Sequence, residues 1–114
     1  MIAVIFEAFP AKGKWDEYLD IASRLKPELG KIDGFISIER FQSMANPEKA
    51  LSLSFWKDEA SITQWRNFEL HRMAQKEGRK SIFDDYRIRI ATVVRDYSLT
   101  DREQAPNDSK LIHN

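Results

Sequence analysis

Apolar residues alternate along short stretches near both ends of the chain and recur at helical spacing between them. IAVIFEAF, residues 2–9, is rich in β-formers and stops at Pro10, which predicts a first strand. Trp15, Tyr18, Leu19, Ala22, Leu25 and Leu29 then follow the period of a helix. Asp16 and Glu17 fall in its first turn, where the helix dipole favours acids. Pro27 removes a backbone donor and predicts a kink near the end, and Gly30 and Gly34 mark the exit. FISIERFQ (35–42) and LSLSFW (51–56) read as strands two and three, joined by SMANPEK with its Asn46-Pro47 turn signal. Asp58 is placed to cap a second helix running to Glu77 and ending at Gly78. A long last strand is predicted from Phe83 to Tyr97.

The order β-α-β-β-α-β is the ferredoxin-like arrangement of the α+β class. Residues 1–97 are expected to form one domain. The polar stretch 98–114 contains Pro106 and no periodic pattern, and is expected to be disordered or laid on a partner.

Period-two alternation sorts the strand residues onto two faces. One face takes Ile2, Val4, Phe6, Ile36, Ile38, Leu51, Leu53, Phe55, Ile88, Ile90 and Val94, and is predicted to pack against both helices. The other takes Ile5, Phe9, Phe35, Phe41, Trp56 and Val93, together with Ser52, Ser54, Glu7, Glu39, Arg87 and Arg89. An apolar patch of that kind marks an interface or a ligand groove. Breaking a buried ion pair costs roughly 3–5 kcal/mol, so Glu7 and Glu39 should pair with Arg87 or Arg89, or reach water in a cavity. A second copy covering this face would sit about 10 Å away, sheet to sheet. The small side chains of Ser52 and Ser54 would then leave room for a pocket. A homodimer with facing sheets is the expectation.

Composition narrows the chemistry. Hydrophobic residues at 42% can supply a core, and 32% charged residues suit a soluble surface. The formal net charge is zero, so no global field draws nucleic acid or an anionic membrane. Strand three also lacks the aromatic signature of RNA-binding domains with this strand order. No apolar run approaches the roughly 20 residues that span a bilayer. MIAVIFEAF has no basic residue before it and carries Glu7, so it reads as a strand and not a signal peptide. The absence of cysteine excludes disulfides and thiol chemistry and suits a reducing cytoplasm. The two histidines, His71 and His113, are far apart and have no local carboxylate pattern, so no metal site is expected.

His71 lies in WRNFELHRMAQKEGR, residues 65–79. On a regular helix Phe68, His71 and Gln75 form one stripe, and Ile62, Trp65 and Met73 form a second that suits core contact. A near-neutral imidazole is the most accessible proton acceptor in this chain. A helix histidine beside Arg72 equally suits exposed surface. Trp56 and Trp65 equally suit large core fillers.

GFISIERF, LSLSFWKDEASITQW, HRMAQKEGR and YRIRIATVVRDY, in this order of elements, resemble the antibiotic biosynthesis monooxygenase family over about residues 2–97. The resemblance implies a dimeric α+β barrel with one pocket per subunit between sheet and helices. Members of the quinone-forming type oxidise polyketide phenols with dioxygen and neither metal nor flavin. Their pocket tryptophan aligns with Trp56, while their asparagine and tyrosine positions hold Ser52 and Ile62. In the related haem-degrading branch the tryptophan aligns with Trp65, but the ligand histidine position falls on Gln75 and strand one has no asparagine.

Three readings follow. The first is a cofactor-independent monooxygenase acting with dioxygen on a small aromatic or polyketide-like substrate. In it His71 is the base, Arg89 steadies the oxyanion, and Trp56, Phe41, Ser52, Phe68, Trp65 and Gln75 contact substrate. The second is a non-catalytic, small-molecule-binding or stress-associated dimer using the same pocket. The third is a haem-binding relative, which the missing ligand position disfavours.

Overall fold

A computed structural model describes the backbone of residues 1–75 and 82–113 and the side chains of residues 1–68 and 82–111. Among them the chain forms β1 (Ile2–Pro10), α1 (Trp15–Leu29), β2 (Phe35–Gln42), β3 (Ala50–Trp56), α2 (Glu59–Gln75), β4 (Phe83–Thr92) and α3 (Asn107–His113). The four strands make one antiparallel sheet in the order β2-β3-β1-β4. This is the ferredoxin-like α+β fold expected from the order of elements.

Each helix forms for a local reason. Of the predicted α1 stripe, Tyr18, Ala22, Leu25 and Leu29 are buried, Trp15 is half-buried and Leu19 is exposed, and Pro27 sits exposed in the last turn. In α2 the predicted cap is present: Asp58 Oδ1 accepts the backbone N–H of Ser61 at 3.0 Å and its hydroxyl at 2.8 Å. These bonds, the backbone one first, favour the ionised carboxylate and hold Asp58 below the ordinary aspartate pKa. Ser61 is also pressed against the turn before β2. Gly34 there has φ +95°, and a Cβ on it would collide with the Ser61 side chain. The Gly34 carbonyl accepts the Lys57 N–H at 2.7 Å. The entry to α2 is thereby fixed on the entry to β2.

The pairing register corrects two face assignments. Ile2 pairs with Trp56, Val4 with Ser54 and Phe6 with Ser52, so Trp56, Ser54 and Ser52 face the helices. Leu51, Leu53 and Phe55 therefore lie on the opposite face with Ile5 and Phe9. Sorting β3 by hydrophobicity put its leucines inside. The structure instead turns its one tryptophan inside, where Trp56 is 0% exposed beside Leu29 and Ile62. The second correction comes from a register shift between Phe35 and Ser37. It brings Phe35 to the Trp56 side, where the rings meet edge-on at 5.2 Å, and leaves Ile36 53% exposed. β4 also ends at Thr92, so Val94 is exposed and packs on no helix.

On the helix-free face Glu7 accepts from Lys49 Nζ and Arg89 Nη1, each at 3.1 Å. Arg89 is one of the partners expected for it; Glu39 is exposed on the edge strand β2. The Lys49 hydrogen bond, followed by the charges of Lys49 and Arg89, holds the Glu7 carboxyl below the ordinary glutamate pKa.

The C-terminal stretch carries α3, and Arg102 stacks over Tyr97 at 5.2 Å while donating to the carbonyls of Ser98 and Ser109. Among the described residues, the hydrogen bonds of 96–110 have both partners within that stretch. The radius of gyration is 16.8 Å, against ~13 Å for a compact chain of about this length, and the long axis reaches 57 Å.

Gly34→Ala should lower stability by at least ~1 kcal/mol, because positive φ and a steric clash both oppose a Cβ there. Thermal denaturation should show Tm falling by roughly 4–8 °C per kcal/mol. Glu7 gives a pH test. Its folded pKa is depressed, so its contribution is present above the unfolded value, about 4.3, and is lost as pH falls through the folded value. The Tm gap between wild type and Glu7→Gln should therefore be widest near neutrality and close below about pH 4.

Candidate functional site

The sheet register builds a floor from two rows of side chains. One row is Ile38, Ser54, Val4 and Ile90; the next is Arg40, Ser52, Phe6 and Ile88. Tyr18, Ile21, Ala22 and Leu25 of α1, and Ile62, Trp65 and Arg66 of α2, form the roof, while Ile82 and Phe83 close one side. The space between is a cavity of about 200 Å³. It exists because β3 places only serine side chains at the centre of the floor, too short to fill the gap below the helices. It opens along β4, where Ile88 and Ile90 are 52% and 44% exposed.

Polar groups in this apolar chamber are few. Ser54 Oγ accepts the Trp56 indole N–H at 2.8 Å, which satisfies the one polar atom of a wholly buried ring. Two other groups are left over. The Tyr18 hydroxyl and the Arg40 Nε are buried and lack a hydrogen-bond partner among the described residues. Each such group costs about 1–3 kcal/mol of uncompensated desolvation, more where it is charged. The lining includes Arg40 and Arg66 and, among the described residues, no carboxylate. The chamber offers donors and positive charge to whatever enters it.

The structure brings together only part of the predicted set. Ser52 and Trp65 line the cavity. Phe68 stacks on Trp65 with ring centroids 5.7 Å apart, outside the lining. Trp56 lies in the core beside the cavity and positions Ser54; it is not a wall. Phe41 and Arg89 sit on the opposite face of the sheet, which separates them from the cavity. Arg89 holds Glu7 there. His71 and Gln75 belong to the last turns of α2, and their side chains lie outside the described residues.

Tyr18 and Arg40 were not singled out from sequence. A signal for Arg40 existed: alternation from Ile38 puts it on the same face, a lone cation on an apolar row. Tyr18 sits in the apolar stripe of α1, where nothing distinguishes a core ring from a ring whose hydroxyl points into a void.

A four-stranded antiparallel sheet with helices on one face and an apolar cavity between them defines a ferredoxin-like domain. The chain belongs to the antibiotic biosynthesis monooxygenase family, whose profile matches residues 1–77. It is 48% identical over 93 residues to the jasmonate monooxygenase ABM of Pyricularia oryzae, a match covering 82% of this chain and 43% of that protein. The chain thus spans less than half the length of that relative. A crystal structure of a conserved protein from Methanosarcina mazei superposes with a TM-score of 0.65 at 25% identity, covering 79% of this chain and 89% of the other. The structure of Rv0793 from Mycobacterium tuberculosis shares the fold, with a TM-score of 0.71 at 13% identity over 85% and 98% of the two chains. Among the described residues no helix is long and apolar enough to cross a membrane.

Ser54→Ala strands the buried Trp56 N–H without an acceptor. Chemical denaturation should register a loss of about 1–3 kcal/mol, and Trp56→Phe on that background should recover part of it.

Proposed function

We propose that the chain is a monooxygenase that uses dioxygen, without metal or flavin, on a small molecule held in the helix-side cavity, and that it works as a homodimer. The observation that carries the reading is the cavity itself: apolar, sized for a small molecule, with a buried hydroxyl and a buried guanidinium nitrogen that lack partners. The reaction type is supported by the family and by the name of the Pyricularia relative.

The substrate class is a molecule with an acidic methylene next to a carbonyl or an arene. Proton loss gives a resonance-stabilised carbanion. One electron passes from it to dioxygen, the two radicals join through a new C–O bond, and loss of water leaves a carbonyl. The balance is CH2 + O2 → C=O + H2O, with all four electrons drawn from the substrate, so no outside reductant is needed. The Tyr18 hydroxyl donates to the oxygen on which the carbanion's charge gathers, in a chamber where water competes weakly. His71, on the helix whose earlier turns roof the cavity, accepts the proton. The homodimer accounts for the opposite face of the sheet, where Ile5, Phe9, Leu51, Leu53 and Phe55 form an apolar surface that no helix covers.

An oxygen electrode tests the reading with a panel of hydroxyanthrones and other activated methylenes. Uptake matched by carbonyl product is expected. Tyr18→Phe should cost roughly 10²-fold in kcat, the scale of one lost oxyanion donor. His71→Ala should cost roughly 10²- to 10⁴-fold. Ligands that raise Tm across the panel without any oxygen uptake would make the chain a binding protein instead.

A further inference from the structure

Arg40 is a cation on the floor of an apolar chamber, and its own chain gives it little to do there. Its Nε is buried and has no hydrogen-bond partner among the described residues. The ion pairs of the described residues use Lys14, Arg24, Lys31, Lys49 and Arg89, and not Arg40. It stands directly opposite Ser52 in the β2–β3 register, with both side chains lining the cavity. Beyond that pair the floor turns apolar, through Phe6 to Ile88. The floor is therefore polar toward the β2 edge and apolar toward β4.

We infer that Arg40 and Ser52 form a carboxylate anchor, so that the cavity selects amphipathic acids: a compact apolar body carrying one carboxylate. The inference rests on the cavity being the substrate site. Charge and geometry favour a carboxylate over other anions. Arg66, the other cation of the lining, is exposed, whereas Arg40 Nε is buried; a phosphate dianion would carry twice the charge of a carboxylate onto the floor beside Ile38 and Val4, at a larger desolvation cost. The planar fork of arginine meets both oxygens of a carboxylate at once, and a phenolate offers it one. Ser52 supplies a further donor beside the fork. Anchored in this way, the body of the ligand lies over Phe6 and Val4, under Trp65.

The anchor is tested by equilibrium binding to the purified full chain without turnover, read by calorimetry or by Trp65 fluorescence. The probes are 3-phenylpropionate, its methyl ester and 4-propylphenol. The acid should bind about 10- to 100-fold tighter than the ester or the phenol, the range of charge-assisted hydrogen bonds. Arg40→Met should erase that preference while leaving ester affinity within about threefold, and Arg40→Lys should retain part of it. Equal affinity for acid and ester in the wild type overturns the anchor, and this comparison needs no variant to fold. A phenol that binds as tightly as the acid overturns it too. Clear acid selectivity in a protein that consumes no oxygen upholds the anchor while removing the oxygenase, so the two readings fail separately.

Discussion

The cavity depends on the phase of β3. Residues 50, 52, 54 and 56 point at the helices, and three of those four side chains are small: Ala50, Ser52 and Ser54. Trp56 anchors the phase. A one-residue slip would carry its ring out of the core and push Leu51, Leu53 and Phe55 into the space below the helices. The hydrogen bond from its indole to Ser54 makes the arrangement self-consistent, since the residue that keeps the cavity open also satisfies the ring that closes the core beside it. Filling the void with larger side chains would stabilise the domain more, so this sequence forgoes packing where a ligand site would need room.

Most of the fold was legible because it rests on local signals. The strand-helix order followed from periodicity, and the α2 start from Asp58 and the hydrogen bonds an aspartate cap can accept from the third residue of a helix. What stayed hidden depends on pairing. Alternation along LSLSFW separates its residues into two sets but does not say which set is inside. Hydrophobicity chose the leucines and phenylalanine, and the register with β1 chose the serines and tryptophan. The irregularity after Phe35 was hidden for a similar reason, because an extra residue in an edge strand leaves no mark in composition.

The site shows the same division. Ser52 and Trp65 were found, Ser52 from its small size and the family resemblance, and Trp65 from the resemblance alone, since its helical stripe suited core contact. Arg89 and Phe41 were drawn in by a face assignment that expected the pocket between two sheets; it lies between one sheet and its own helices. The two faces of the sheet thus carry separate tasks. The helix side holds a cavity with a donor-rich end, and the open side holds apolar residues around the Lys49–Glu7–Arg89 cluster. Tyr18 and Arg40 became visible only when their buried polar atoms were found without partners, a property of three-dimensional enclosure that no linear pattern encodes.

The C-terminal segment is held together by contacts within itself. Its cation–π contact and hydrogen bonds join residues close in sequence, so closing it orders only a short loop and opening it breaks none of the sheet's ladders. Its amides are set to exchange with solvent through local opening, at a free energy well below that of the β1–β3 pair. The stability of the sheet domain and the order of this segment are separate quantities, free to change independently.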